Sequence, residues 1–353
     1  MSFVIPLPAY EVVIEAGPQA VLRRISSGQY SQRMVLVDEH TEQHCLPLLS
    51  NHLDHLKVIR IPSGESAKTI DTCSQIWRQM LHFGADRRSL LINLGGGVIG
   101  DMGGFCAATF KRGLDFIQAP TTLLSQVDAS VGGKLAIDFA GYKNAVGLFQ
   151  DPMMVWVNPD FLSTLPSRQL TNGMMEMYKH GLIGDQDLYQ RLKWMTQLDE
   201  LTSAALVHQA ILVKAAVVEA DPFEKGRRKV LNLGHSLGHA VESYLLEGSE
   251  EWLHGECIAA GLIMENHISH QKGLLSAELE EEVYTFIKKW YPLPVIPSEA
   301  DRKIIRYLLH DKKNVGETLI FSLLKRVGDV TEDSQVTLAE VQTALDYYRH
   351  KTA

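Results

Sequence analysis

Residues 90–101 read LLINLGGGVIGD, an apolar run, three consecutive glycines and the start of a helical pattern. Glycines allow a backbone to approach a pyrophosphate closely, and the N-terminus of a following helix offers unpaired N–H groups and the positive end of its dipole. A tight turn without any ligand would use the same glycines, and their spacing differs from the usual G-x-G-x-x-G pattern. The stretch therefore predicts a strand followed by a helix, with a bound diphosphate as one reason for the glycines.

Similar apolar runs, bounded by Gly, Pro or Asp, are separated by helix-length segments at residues 34–37, 57–61 and 90–94. Such runs are typical of buried parallel strands in an α/β unit. From about residue 169 onward, apolar residues recur at three- and four-residue spacing, as in residues 199–219, 277–289 and 338–348. We therefore predict an α/β fold, with a Rossmann-like parallel-sheet domain over residues 1–168 and an all-α domain over residues 169–353.

The composition limits the classes of partner. The 353 residues include 34 basic and 42 acidic side chains, a formal net charge of −8, which argues against nucleic acid or an anionic membrane. No apolar run approaches the length of a membrane span, and no signal peptide is visible. The four cysteines are scattered without a C-x-x-C pair, which favours a reducing compartment. We predict a cytoplasmic enzyme.

Residues 118–144, QAPTTLLSQVDASVGGKLAIDFAGYKN, carry more polar groups than their apolar neighbours would suggest. Buried charges need partners, and a bound anionic ligand would supply one for Lys134 and Lys143. A surface loop is the alternative, because a glycine pair also suits a plain turn. Asp38, at the end of an earlier predicted strand, is placed either to bind a ribose hydroxyl or simply to form a turn.

Three segments of the second half contain side chains of the kind that bind metals. Glu176 precedes Lys179 by one helical turn, His235 and His239 are four residues apart on one helix face, and His254 lies in LHGE. Two histidines and a carboxylate with one open position form the ligand set of a catalytic zinc site. Chance clustering among 14 histidines is the alternative, and the glutamate of the H-E-x-x-H motif is missing. We predict that the helical domain is also the metal-binding domain.

Six motifs occur in the same order in 3-dehydroquinate synthases: GGGVIGD, PTTLLSQVDASVGGK, GYKN, E-x-x-K, LNLGHSLGH and LHGE. The chain resembles this family of sugar phosphate cyclases over about residues 30–330. The resemblance implies conversion of 3-deoxy-D-arabino-heptulosonate 7-phosphate into 3-dehydroquinate, the second step of the shikimate pathway, by a homodimer. It also implies NAD and one divalent metal ion, zinc or alternatively cobalt, as cofactors.

The resemblance also assigns roles to individual residues. It implies that the metal ligands are Glu176, His235 and His254, and that the catalytic residues are His239, Lys134, Lys179, Asn144 and Asp128. For the substrate it points to Arg112, Lys214, Arg228, Asn232 and one or both of Lys312 and Lys313. For NAD it points to Asp38, Glu65, Lys68, Gly96, Gly97, Val98, Asp101, Thr121, Thr122, Lys143, Phe161 and Thr164.

The implied reaction explains why so many charged groups are present. NAD oxidises a secondary alcohol, phosphate is lost, NADH reduces the ketone again, the ring opens, and an intramolecular aldol step closes the carbocycle. The departing phosphate accepts the proton, while His239 and Lys134 position that phosphate.

Arg112 lies eleven residues after Asp101, a helix length of about 15 Å from the diphosphate. The resemblance therefore implies that Arg112 reaches the neighbouring subunit of a dimer.

Three positions depart from the family pattern. Leu135 stands where many members have threonine, and Asp138 and His40 stand where asparagine is common. The first two concern the path of a loop, and the third concerns one contact to adenosine. The predicted metal ligands are all retained.

Three alternative functions have to be compared with the sequence. The first is another sugar phosphate cyclase that makes an inosose or a valiolone, but the retained Lys214, Arg228 and Asn232 suit a substrate carboxylate that those substrates lack. The second is a metal-dependent polyol dehydrogenase, which would produce net NADH. The third is a catalytically inactive nucleotide-binding protein, which the intact metal ligand set argues against.

Overall fold

The computed structural model describes residues 2–140, 142–309 and 319–352. The chain forms two compact units, Met1–Leu170 with Asp199–Ala215, and Thr171–Leu198 with Ala216–Ala353. The segment Asp199–Ala215 thus belongs to the first unit, although the predicted boundary at residues 168/169 places it in the second domain. Within that unit the ring of His208 stacks on Phe3, with centroids 4.4 Å apart.

The first unit is built on a mostly parallel sheet. Its strands and hairpin are, in chain order, β1 (Ser2–Pro6), β2 (Glu11–Glu15), β3 (Arg33–Val37), β4 (Lys57–Arg60), β5 (Leu90–Gly95), β6 (Asp115–Pro120), β7 (Lys134–Phe139), β8 (Tyr142–Phe149) and β9 (Met154–Val157). Seven form one sheet in the order β1-β2-β9-β6-β5-β3-β4, in which only the β1–β2 pair is antiparallel. β7 and β8 form a separate antiparallel hairpin. The predicted strands at residues 34–37, 57–61 and 90–94 are confirmed as β3, β4 and β5.

Both faces of the sheet are covered around its central strands, which is why β5 and β9 are buried along their whole length. The helices of this part are α1 (Gln19–Ser27), α2 (Glu39–His44), α3 (Pro47–Ser50), α4 (Ile70–His82) and α5 (Gly97–Thr109). Met34 and Leu36 of β3 pack with α4, α5 and the hairpin, whereas Val35 and Val37 pack with α1 and α3. Alternate side chains of one strand therefore enter two separate cores, as expected for a parallel sheet.

The rest of the chain is mainly helical: α6 (Ser167–Gly184), α7 (Gln186–Trp194), α8 (Ala204–Ala220), α9 (His235–Leu245), α10 (His254–Gln271), α11 (Ala277–Trp290), α12 (Asp301–Leu309) and α13 (Leu338–Thr352). The helices predicted around residues 199–219, 277–289 and 338–348 are confirmed. The prediction of an all-α second part is wrong in one respect. β10 (Leu319–Phe321) pairs with β13 (Ser334–Val336), and β11 (Leu324–Arg326) pairs with β12 (Asp329–Val330), because these pairings bury apolar side chains such as Phe321. Within the described ranges, no helix combines the length and apolarity that crossing a membrane requires.

Candidate active site

The carboxyl ends of four neighbouring parallel strands, β4, β3, β5 and β6, lie at one edge of the sheet of the first unit. Asp38 follows β3, Gly96 follows β5 and Thr121 follows β6, while Glu65 and Lys68 lie in the short turn after β4. α5 begins at Gly97, so its N-terminal N–H groups and positive dipole end are at this edge. The predicted strand–glycine–helix arrangement is confirmed, at the edge where nucleotides bind in doubly wound sheets.

Asp38 is the N-cap of α2. Its Oδ1 accepts a hydrogen bond from the amide of Thr41 at 2.8 Å, and the Thr41 hydroxyl accepts one from the amide of Asp38 at 3.0 Å. This capping box fixes the carboxylate at the end of β3 through one of its oxygens. Both interpretations of Asp38, a turn residue and a ribose ligand, are compatible with that geometry. His40, which differs from the asparagine common in the family, is exposed on the first turn of α2.

Lys68 is a buried cation at the same edge. Its Nζ donates to Asp101 Oδ2 at 2.7 Å and to Asn144 Oδ1 at 2.6 Å. Burial alone would lower the pKa of Lys68, but the nearby carboxylates of Asp101 and Glu65 outweigh it, so the pKa is raised. Burial raises the pKa of Asp101. The ammonium therefore stays protonated and links a predicted NAD residue to a predicted catalytic residue.

Two of the residues that depart from the family pattern now have a physical role. Asp138 Oδ1 accepts the amide N–H of Asn144 at 2.7 Å, and the Asp138 amide donates to the Lys68 carbonyl at 3.0 Å. This holds Asn144 in a left-handed conformation with φ at 49°. Leu135 is buried against α5, where a Cβ at Gly104 would lie only 2.4 Å from the leucine side chain. Leu135 is thus a packing residue, and Asp138 orders the loop of Asn144.

Asp128 and Lys214, which are far apart in sequence, meet in the first unit. Lys214 Nζ donates to Asp128 Oδ1 and to the Asp128 carbonyl, each at 2.5 Å. Lys214 is 6% exposed, so the carboxylate supplies the partner that a buried cation needs. Two residues that the family resemblance assigns to the substrate and to catalysis therefore form one buried pair.

In the second unit, α6, α9 and α10 bring four candidate ligands together. Glu176 Oε1 lies 3.7 Å from Nε2 of His235 and 3.8 Å from Nε2 of His254. Two ligands bound tetrahedrally to one zinc ion at about 2.1 Å are about 3.4 Å apart, so this spacing fits a shared ion. Glu176 Oε1 is buried and accepts no hydrogen bond from any residue the structure describes. A bound cation would stabilise a buried carboxylate oxygen in that position.

His239 belongs to the same cluster. The ring nitrogens of His235, His239 and His254 include one atom from each residue within 4.8 Å of the others. The geometry is therefore compatible with two ligand sets, the three histidines alone or Glu176 with His235 and His254. The residues present fit a divalent metal ion in either case.

The remaining ring nitrogens have partners that orient the imidazoles. His235 Nδ1 lies 2.9 Å from Lys179 Nζ and 3.2 Å from the Leu233 carbonyl, and His254 Nδ1 lies 3.5 Å from Glu242 Oε2. Lys179 Nζ also donates to Glu176 Oε2 at 2.8 Å. Metal-binding histidines ordinarily have such a carbonyl or carboxylate behind them. The arrangement directs both Nε2 atoms toward Glu176.

A loop after α8 carries Arg228 and Asn232. Asp221 accepts the amides of Gly226, Lys225 and Arg228, and these bonds lower its pKa to about 2. The Arg228 guanidinium is buried and donates to the Pro222 carbonyl at 2.6 Å, while Asn232 donates to Glu224 at 3.0 Å. Sequence analysis missed Asp221 and Glu224. The Asp-Pro dipeptide that starts the loop is the local signal that was available.

Several residues predicted to bind NAD or substrate do not belong to these clusters in the described structure. Arg112 is exposed beyond the C-terminal end of α5, Thr164 is exposed, and the ring of Phe161 packs in the core 5.3 Å from that of Trp156. Their assignments stay predictions, as do those of the remaining NAD residues. Lys312 and Lys313 lie outside the described residues.

Comparison with known proteins adds independent information. The family model described as 3-dehydroquinate synthase N-terminal matches residues 58–172, and the corresponding C-terminal model matches residues 173–314. A 3-dehydroquinate synthase from Parabacteroides distasonis is 40% identical over 330 residues, covering 92% of this chain and 93% of that protein. One from Pseudomonas fluorescens is 38% identical over 340 residues, covering 94% and 91%.

Solved structures show the same fold at lower identity. A 2-epi-5-epi-valiolone synthase from Streptomyces hygroscopicus, with NAD+ and Zn2+ bound, is 24% identical, with a TM-score of 0.88 and 98% of each chain covered. A 2-deoxy-scyllo-inosose synthase complexed with carbaglucose-6-phosphate, NAD+ and Co2+ is 24% identical, with a TM-score of 0.84 and 98% and 99% covered. A probable glycerol dehydrogenase from Sinorhizobium meliloti is 14% identical, with a TM-score of 0.66 and 97% and 96% covered.

Proposed function

The chain belongs to the 3-dehydroquinate synthase family, and from that premise we propose which of its residues bind each participant in the reaction. The enzyme converts 3-deoxy-D-arabino-heptulosonate 7-phosphate into 3-dehydroquinate and phosphate, a step of the shikimate pathway. The observation that carries the assignment of the site is the buried Glu176 Oε1 facing the Nε2 atoms of His235 and His254. The valiolone and inosose synthases and the dehydrogenases are related at a level of identity that shows the fold alone.

For the metal site, we propose that Glu176, His235 and His254 hold one divalent ion, zinc or alternatively cobalt. Support comes from the partners behind both imidazoles and from the Zn2+ and Co2+ named in the two cyclase structures. Such an ion acts as a Lewis acid that polarises hydroxyl and ketone oxygens. Lys179 holds the second oxygen of Glu176, and His239 is left to contact the substrate.

For NAD, we propose binding at the carboxyl edge of β4, β3, β5 and β6. Bound there, NAD would supply reversible hydride transfer with the substrate alcohol and would be regenerated within each cycle. Gly96, Gly97 and the N-terminus of α5 suit the diphosphate, and Asp38 suits a ribose hydroxyl. The other residues proposed for this site are Glu65, Lys68, Val98, Asp101, Thr121, Thr122, Lys143, Phe161 and Thr164.

For the substrate, we propose that Arg228 and Lys214 bind the carboxylate. The planar guanidinium of Arg228 suits a bidentate contact, and Asp128 holds Lys214 in place before the substrate arrives. The departing phosphate accepts the proton, and His239 and Lys134 position it, so the protein contributes orientation and electrostatic stabilisation. Asn144 and Asn232 complete the proposed contacts, together with one or both of Lys312 and Lys313.

The activity can be tested directly with purified protein. Incubation with the heptulosonate phosphate and NAD is expected to release phosphate and form dehydroquinate in equal amounts, without accumulating NADH. Enzymatic phosphate detection, the absorbance of dehydroquinate and the absorbance of NADH give the three readouts. Net NADH would indicate a polyol dehydrogenase, and turnover of a hexose phosphate instead would indicate another cyclase.

We further propose that the enzyme is a cytoplasmic homodimer in which Arg112 acts on the substrate of the partner subunit. All four cysteines are buried free thiols in the described structure, which fits a reducing compartment. Arg112 is exposed with φ at 69°, and the hairpin residues Phe139, Tyr142 and Phe149 are 55%, 56% and 49% exposed. Exposed apolar side chains are a feature of association surfaces.

Mixing two inactive variants tests whether Arg112 acts in trans. After subunit exchange between Arg112→Ala and His235→Ala, each mixed dimer would contain one doubly defective site and one intact site. Recovery of about a quarter of the parental activity is expected, since about half of the dimers are mixed. Exchange is verified with differently tagged subunits. If mixed dimers form without recovering activity, Arg112 acts in its own subunit or outside catalysis.

A further inference from the structure

Glu265 on α10 is a completely buried carboxylate outside the proposed ligand set. Its Oε2 accepts the amide N–H of Gly234 at 2.7 Å, and its Oε1 accepts the amide N–H of Leu237 at 2.9 Å. These two amides flank the start of α9, and His235 is the first residue of that helix. One side chain of α10 therefore holds the backbone on both sides of a proposed metal ligand.

The local sequence explains why a residue from another helix performs this role. The N-cap of α9 is Gly234, which has no side chain to accept the amides of the first turn and adopts a left-handed φ of 78°. α9 and α10 also approach each other closely, since a Cβ at Gly261 would lie only 2.2 Å from the Gly234 carbonyl oxygen. Glu265 is one helical turn after Gly261, so its carboxylate reaches the uncapped amides.

We propose that Glu265 is a positioning residue for the metal site. It acts as the N-terminal cap of α9, supplied by the neighbouring helix α10 of the same chain. Its two hydrogen bonds fix the turn from which His235 extends and thereby fix the distance between His235 Nε2 and Glu176 Oε1. A carboxylate at a helix N-terminus is also favoured by the helix dipole. The inference rests on the proposed ligation of a divalent ion by His235.

The Glu265→Gln variant tests the proposal. Glutamine preserves the volume but offers one acceptor oxygen, so one of the two amides loses its partner. Residues that orient metal ligands typically affect metal affinity by about 10- to 100-fold, and we expect at least tenfold weaker Co2+ binding in competition with a chromophoric chelator. The visible spectrum of bound Co2+ is expected to change as well, because it reports the ligand geometry rather than stability.

Glu280→Gln is the matched control. Glu280 is also a buried acid of the second unit, and it lies 3.0 Å from Nδ1 of His267, away from the metal cluster. This variant is expected to lose thermal stability while keeping the parental Co2+ affinity and spectrum. Equal loss of Co2+ affinity in both variants would reduce the role of Glu265 to general stability and overturn the proposal.

The outcomes separate this inference from the metal assignment. If the unmodified protein binds no Co2+, the proposed metal site itself is wrong. If the unmodified protein binds Co2+ and a folded Glu265→Gln binds it with the same affinity and spectrum, Glu265 is not a positioning residue. Should the variant not fold, hydrogen exchange in the unmodified protein decides. The amides of Gly234 and Leu237 should exchange as slowly as those inside α9, and rapid exchange of both would refute the cap.

Discussion

Removal of the divalent ion with a strong chelator will abolish dehydroquinate formation, and addition of zinc or cobalt will restore it. Without a cation, Glu176 Oε1 would face two imidazole nitrogens, and the proposed Lewis acid for the substrate oxygens would be missing. Metal polarisation supplies several kcal/mol of transition-state stabilisation, so we expect kcat to fall on the order of 10³-fold. Full activity in a sample that elemental analysis shows to be metal-free would contradict the assignment.

Three alanine variants distinguish the two ligand sets that the geometry allows. His254→Ala is expected to lose both bound metal and activity, whereas His239→Ala should retain the metal and lose kcat, because His239 is proposed to face the substrate. His267→Ala is the control, since His267 lies on the same helix as His254 but contacts Glu280. If His239→Ala loses the metal as completely as His254→Ala, the three histidines are the ligands, and the role of Glu176 is wrong.

The second large effect is expected for Arg228→Ala. Removing one partner of a desolvated charge pair costs about 2–5 kcal/mol, which corresponds to roughly 30- to 5,000-fold in kcat/KM. Arg228→Lys should give an intermediate loss, because it keeps the charge but not the bidentate geometry. Steady-state kinetics with the heptulosonate phosphate measure both variants.

Arg227→Ala provides a control one residue away. Arg227 is 43% exposed and lies 3.9 Å from a similarly exposed Glu332, so its removal should change kcat/KM little. Melting curves are needed for Arg228→Ala, because Arg228 also donates to the Pro222 carbonyl. A folded Arg228→Ala with less than about a threefold change, under 1 kcal/mol, would exclude Arg228 from carboxylate binding.

Much of the fold was predictable from local patterns. β3, β4 and β5 follow from apolar runs long enough to be buried on both faces, and α11 and α13 follow from helical periodicity. β10 to β13 were not predictable, because strands of two or three residues carry no periodic signal and exist through pairing with distant partners. The return of Asp199–Ala215 to the first unit was equally invisible, since helical periodicity does not say what a helix packs against.

The candidate site also contains residues that were predictable from the sequence and residues that were not. Glu176 and the histidines suggested a metal site by their residue types, but the choice of Glu176, His235 and His254 as the ligands depended on family resemblance. Only the structure brings Glu176 Oε1 to the imidazoles. Glu265 escaped sequence analysis because it caps amides about 30 residues earlier in the chain, a relation without any local motif. Residues that touch ligands form recognisable motifs, whereas residues that hold them in place are defined by tertiary contacts.

The first unit is formed by two separate segments of the chain, and this has a consequence for its biosynthesis. Lys214 pairs with Asp128, but it is made 44 residues after Leu170, where the first part of the unit ends. At about 5–20 residues per second, translation takes about 2–9 s to cover that distance. During this interval the nascent chain already carries Thr171–Leu198 of the other unit, while Lys214 has not yet been synthesised. The α/β unit therefore cannot be finished on the ribosome before synthesis of its neighbour has begun.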